Sequence, residues 1–113
     1  MSTVDTFFVK QNDTLSALEY DLTDSSGSDV DISGASVAFT MRRVGAKTNT
    51  VDEQAASIVT NKPARVKYAW QAGDLATPGD YLGEFEVTFG SGGTMTFPND
   101  KLGFPIRVTA ELG

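Results

Sequence analysis

The stretch Tyr68–Phe89, YAWQAGDLATPGDYLGEFEVTF, decides the fold. Tyr68 and Trp70 share a parity with Val66 just upstream, so the three fall on one side of a short alternating run. Beyond Gly73-Asp74 and Pro78-Gly79, a longer run repeats the pattern through Tyr81, Gly83, Phe85, Val87 and Phe89. A period of two buries one face of a strand, which predicts two half-buried antiparallel strands joined across one end of a small β-domain. Gln71–Leu75 reads as a single helical turn across that end. Pro78-Gly79 reads as a type II turn, in which Pro presets one backbone angle and Gly accepts a positive φ. Asp74 and Asp80, flanking the connection, are expected to accept backbone hydrogen bonds.

Outward from this stretch the same period recurs. Leu18, Tyr20 and Leu22 alternate with Glu19 and Asp21, and Val37, Phe39 and Met41 alternate with Ala38, Thr40 and Arg42. Thr6–Lys10 reads as an edge strand with Phe7 and Val9 on one face and Phe8 on the other. The Ser/Gly/Asp-rich loop 23–33 carries Val30 and Ile32, expected to dock on the rim. Residues 53–56 favour helix and 57–60 favour strand; the reading taken is a strand over Ala55–Thr60. Ser91-Gly92-Gly93 supplies a hairpin turn into Thr94–Phe97, and Pro98-Asn99-Asp100 breaks that strand. Phe104, Ile106 and Val108 alternate in a final strand. Pro105 lacks an amide hydrogen, so this strand belongs at an edge or starts with Pro105 unpaired.

About seven or eight short strands at this spacing give an all-β fold, read as an antiparallel β-sandwich. A small barrel is the alternative, and periodicity does not separate the two. The expected core is Phe39, Tyr68, Trp70, Tyr81, Phe85 and Phe104. A chain of 113 residues corresponds to one domain, residues 1–113.

Composition narrows the chemistry. Nine Lys and Arg against fifteen Asp and Glu give a formal charge of −6, and the cations are scattered, so no nucleic-acid partner is expected. The chain has no Cys and no His, which removes thiol and histidine triads and the usual soft metal ligands. The start, Met1–Asp5, lacks the charge and apolar run of a signal peptide. No apolar stretch is long enough to span a bilayer, so no membrane partner is expected. Neither a cofactor nor a metal is called for.

The remaining candidates are carboxylates and outlying apolar residues. Glu84 and Glu86 share an outer strand face and invite a glycosidase reading. The same spacing is what a solvated face requires, with Lys67 or Arg65 on the neighbouring strand offsetting their repulsion. Asp21, Asp24, Asp29 and Asp31 cluster in sequence, but the spacing of a calcium loop is missing and an exposed loop has the same composition. Phe8, Leu82 and Leu102 fit the inward sets least well. They are candidates for a protein interface, with rim packing inside the monomer as the alternative.

Read as an ordered set, the motifs have a family likeness. They are FVKQNDT at 8–14, LEYDL at 18–22, GASVAFTMRR at 34–43, VKYAW at 66–70, AGD at 72–74, PGDY at 78–81, EFEV at 84–87 and TFPND at 96–100. Together they resemble the immunoglobulin-like N-terminal domain of phage baseplate upper proteins and related small tailed-phage structural proteins. The resemblance implies a non-enzymatic virion component, assembled in the host cytoplasm, that docks onto other phage structural proteins in symmetric copies. The helical linker and following domain of the larger relatives are not seen after this stretch. The expectation is accordingly an accessory protein of the head, the head–tail connector or the tail. A carbohydrate-binding or host-adhesion module, using exposed Tyr68, Trp70 or Tyr81, is the alternative.

Overall fold

A computed structural model describes residues 6–24, 26–98 and 102–112. Met1–Asp5 and the Asn99-Asp100 part of the expected strand break lie outside the described residues. Eight strands and no helix are found among the described residues. They are β1 (Phe7–Lys10), β2 (Ala17–Asp21), β3 (Ser36–Arg43), β4 (Val51–Ile58), β5 (Arg65–Ala69), β6 (Gly79–Thr88), β7 (Thr94–Phe97) and β8 (Phe104–Thr109).

The strands form a mixed sheet in the order β1-β8-β6-β3-β4-β5-β2. β6 is long enough to pair with two strands along one edge. Gly79–Gly83 face β8, and Phe85–Thr88 face β7. Its other edge runs against the whole of β3. The sheet curls strongly. Tyr20, on the strand at one end of the order, stacks on Phe104 of β8 at 4.3 Å and on Phe85 of β6 at 5.9 Å. Inward side chains from both ends of the sheet therefore share one core.

Two pairings correct the sequence reading. The sheet is not wholly antiparallel, because β1 runs parallel to β8, with Phe7 opposite Ile106 and Val9 opposite Val108. Alternation reports which face is buried and carries no information on strand direction. β5 and β6, the strands of the opening stretch, do not pair with each other. β5 lies between β4 and β2, while β6 lies between β3 and the β7–β8 edge. Their connection crosses the end of the molecule instead of closing a hairpin.

That crossing contains turns and no helix. The Asp74 amide donates to the Gln71 carbonyl at 3.1 Å, and the Asp74 carboxylate accepts from the Gln71 amide at 2.9 Å and the Tyr68 hydroxyl at 2.6 Å. Burial, together with the bond to Asp74, pushes the Tyr68 hydroxyl pKa up. Asp74 thus closes the turn as expected. Asp80 does not: it sits in β6 and pairs with Arg107 at 3.0 Å. Gly79 has φ of 148°, and it opens β6 opposite Val108 in place of the expected type II turn. Next to it, the Tyr81 hydroxyl donates to the Thr77 carbonyl at 2.7 Å.

β4 runs over Val51–Ile58, starting and ending earlier than the expected Ala55–Thr60, and it carries a bulge. Phe39 faces Gln54 but Met41 faces Val51, so Asp52 and Glu53 together oppose Thr40. Glu53 adopts φ of 49° and its amide donates to Thr40 Oγ1 at 3.2 Å. The extra residue breaks the two-residue period, which leaves 51–56 without a strand signal. After the bulge the strand reaches β5, with Ser57 opposite Lys67 and Ile58 opposite Val66. β8 is interior, flanked by β1 and β6, so of the two alternatives the edge placement is not found, while Pro105 starts the strand unpaired on its β1 side. It tolerates Pro105 because β1 begins its register one residue later, at Ile106.

Phe39, Tyr68, Trp70, Tyr81, Phe85 and Phe104 are all buried. Val30 packs against this core and Ile32 lies within it, so these two loop residues cover the rim. Trp70 meets Tyr68 and Phe39 edge-on, with ring centroids 5.5 and 5.9 Å apart. Its Nε1 is a buried donor with no hydrogen-bond partner among the described residues. An orphaned donor carries a desolvation cost of about 1–3 kcal/mol. Trp70→Phe is therefore expected to destabilise by only about 1–2 kcal/mol, against about 3–5 kcal/mol for Trp70→Ala. Equal losses in chemical denaturation would show that Nε1 is satisfied in solution.

Candidate functional site

Parity sorts each strand of the β8-β6-β3 region into two faces. Tyr81, Gly83, Phe85 and Val87 point into the core, so Leu82, Glu84 and Glu86 point out. On β3 the outward set is Ala38, Thr40 and Arg42, and on β8 it is Pro105 and Arg107. The pairing brings these sets together, with Leu82 between Arg42 and Pro105 and Glu84 opposite Thr40.

On this outer face lies a groove of about 510 Å³. β3 and β6 supply its floor, the β3–β4 connection one wall, and Leu102 the other side. Leu82 and Leu102, separated by 20 positions in sequence, both line it. Leu82 is half-buried because the chain just past Leu102 runs tight against β6. A Cβ on Gly103 would lie 3.0 Å from the Gly83 carbonyl oxygen and 3.1 Å from Leu82 Cβ. Leu102 itself is 81% exposed. The opposite wall is braced by a relay in which Arg42 Nε donates to Asn49 Oδ1 at 2.8 Å and Asn49 Nδ2 donates to Asp52 Oδ1 at 2.9 Å.

The third interface candidate, Phe8, does not line the groove. It is exposed on β1 at the end of the sheet, opposite Arg107, with β8 between it and β6. Sequence reasoning missed Val44, which is 60% exposed and lines the groove. It continues the outward parity of Thr40 and Arg42, a signal that was present but hidden by the polar Gly45–Asn49 segment behind it. It also missed the carboxylates of the β4 bulge, Asp52 and Glu53, which join Glu84 and Glu86 around the groove.

The expected offset of Glu84 and Glu86 by Lys67 or Arg65 is not realised. Those cations are on β5, separated from β6 by β3 and β4. Arg65 instead grips Asp21 through two hydrogen bonds of 2.6 and 3.2 Å and approaches Glu19 at 3.8 Å. The bond from Arg65 holds the Asp21 carboxyl below the usual carboxylate range.

The loop aspartates are used locally. Asp24 accepts from the amides of Ser26 and Ser28 and from the Ser26 hydroxyl, and Asp31 accepts from the amide and hydroxyl of Ser33. Hydrogen bonds from Ser26 and Ser33 hold Asp24 and Asp31 below their ordinary pKa. Among the described residues, no group of three or more His, Cys, Asp or Glu is arranged to hold a metal ion. Tyr68, Trp70 and Tyr81, the rings proposed for a glycan platform, are each 2% exposed, so they present no face to a sugar. No protein-family model matches the chain, and no curated protein sequence matches it.

Proposed function

We propose that this protein is a non-enzymatic docking module with an immunoglobulin-like sandwich fold, acting as a structural or accessory component of a tailed-phage particle. The observation that carries the docking reading is the outward groove, where half-buried Leu82 lies among exposed Leu102 and Val44 on an otherwise charged face. Solitary exposed apolar residues are ordinary on protein surfaces, but apolar residues gathered in a concave, polar-rimmed site mark contact surfaces.

Strand order supports the fold assignment. β2 beside β5, and β3-β6-β8 as consecutive neighbours, match the B–E and C–F–G pairings of an immunoglobulin sandwich, with β4 in the place of C′. The Tyr81–Thr77 hydrogen bond at the start of β6 resembles that fold's tyrosine corner at strand F. Two pairings depart from two separate sheets: β1 lies beside β8 in place of flanking β2, and β4 pairs with β5, which joins the strands into one curled sheet. The phage context rests on the ordered sequence resemblance, and fold likeness does not choose between head, connector and tail.

A density map of native particles tests this reading. The expected result is symmetric copies of the chain on the particle, with Leu82 and Leu102 buried against a neighbouring protein. A chain that is absent from purified particles and stays monomeric through assembly would sink it.

A further inference from the structure

We propose that the outward groove receives an extended basic segment of a different protein, seating an apolar side chain of that segment between Leu82 and Leu102. The inference rests on the docking reading and adds the chemistry of the partner. It follows from the charge around the groove. Four carboxylates, Asp52, Glu53, Glu84 and Glu86, line it against two guanidinium groups, Arg42 and Arg43. Both arginines donate hydrogen bonds, Arg42 to Asn49 and Arg43 to the Pro78 carbonyl at 3.4 Å. The ion pairs among the described residues join Arg65 to Glu19 and Asp21, and Arg107 to Asp80; none uses a carboxylate of the groove.

An incoming Lys or Arg would therefore meet carboxylates that no cation among the described residues engages. Such complementarity raises the encounter rate and suppresses partners of the wrong sign. A second copy of this chain is a poor occupant, since each copy carries a formal charge of −6 and would bring more carboxylates to the groove. A purely hydrophilic polycation is also a poor fit, because it would leave Leu102 and Val44 uncovered. A basic segment bearing an apolar side chain satisfies both features, and an extended one can lie along the outward Leu82, Glu84 and Glu86 of β6.

The test is an NMR titration of the intact chain, reading the methyl signals of Leu82, Leu102 and Val44. The probes are three nine-residue peptides: alternating Lys and Leu, alternating Glu and Leu, and alternating Lys and Ser. The Lys–Leu peptide is expected to move all three signals, with the other two binding at least about 10-fold more weakly. The double substitution Glu84→Gln with Glu86→Gln should weaken the Lys–Leu peptide about 3- to 10-fold and flatten its salt dependence. Equal binding of the Glu–Leu peptide, or shifts centred on Phe8 or on no residue, would overturn the inference.

A photo-crosslinking group at Val44 during native assembly separates this inference from the reading beneath it. Capture of a basic segment of another protein supports both. Capture of an acidic segment or of a second copy overturns the basic-partner inference and leaves docking intact. A chain that forms no crosslink and enters no assembly overturns both.

Discussion

Phe39→Ala is expected to lower the unfolding free energy by about 3–5 kcal/mol, the range for removing a fully buried aromatic ring from a packed core. Phe39 is completely buried at the centre of the curl. Its ring lies 4.7 Å from Tyr68 and 4.9 Å from Phe85, and 5.9 and 6.4 Å from Trp70 and Phe104. These partners come from β5, β6, the segment after β5, and β8, so one ring joins parts of the sheet that are far apart in strand order. The four neighbours are themselves large and rigid, and they close over a void poorly. The loss should fall near the upper end of the range, measured by urea unfolding. A loss below about 1.5 kcal/mol would mean that the curl does not close around this ring.

Gly83→Ala should destabilise by about 1–3 kcal/mol although it adds a single carbon. Gly83 occupies an inward position of β6, where the alternation asks for a large apolar residue. A Cβ there would lie 2.8 Å from Ile106 Cδ1, 2.9 Å from Phe104 Cζ and 3.1 Å from Phe39 Cε1. These atoms fill the space above the glycine, so the new methyl must displace packed rings. The usual benefit of replacing a strand glycine is outweighed. Thermal or urea unfolding measures the change, and neutral or improved stability would show that the rings have room to move. Gly83→Val should be worse than Gly83→Ala, since each further methyl meets the same three side chains.

Much of the core was legible in sequence because burial on one face of a strand writes itself as a period of two. The inward residues of β2, β3, β6 and β8 could each be read without knowing any neighbour. β4 was read poorly for a local reason: the bulge at Asp52 and Glu53 inserts a residue and shifts the phase of everything after it. The crossing at 71–75 was read as a single helical turn, and it folds as turns with no helix. Its geometry is instead held by the Asp74 carboxylate reaching Tyr68 and the Gln71 amide. The candidate site was half legible. Leu82 stood out as an apolar residue on a charged face, and Leu102 as one outside any inward set. Nothing in their separation along the chain says that they line one groove.

The opening stretch shows where the boundary falls. By itself, the sequence determined that Val66, Tyr68, Trp70, Tyr81, Phe85 and Val87 turn inward and that Leu82, Glu84 and Glu86 turn outward, because alternation is a property of each strand alone. Tertiary structure decided what those faces meet. Placing β6 between β3 and β8 set Leu82 beside Arg42 and Pro105, and put Glu84 and Glu86 out of reach of Lys67 and Arg65. It also turned β1 parallel to β8 and brought Leu102 and Val44 to the same groove as Leu82. The physical reason is that strand order and direction depend on pairings between segments distant in the chain, to which the period of any single strand is blind.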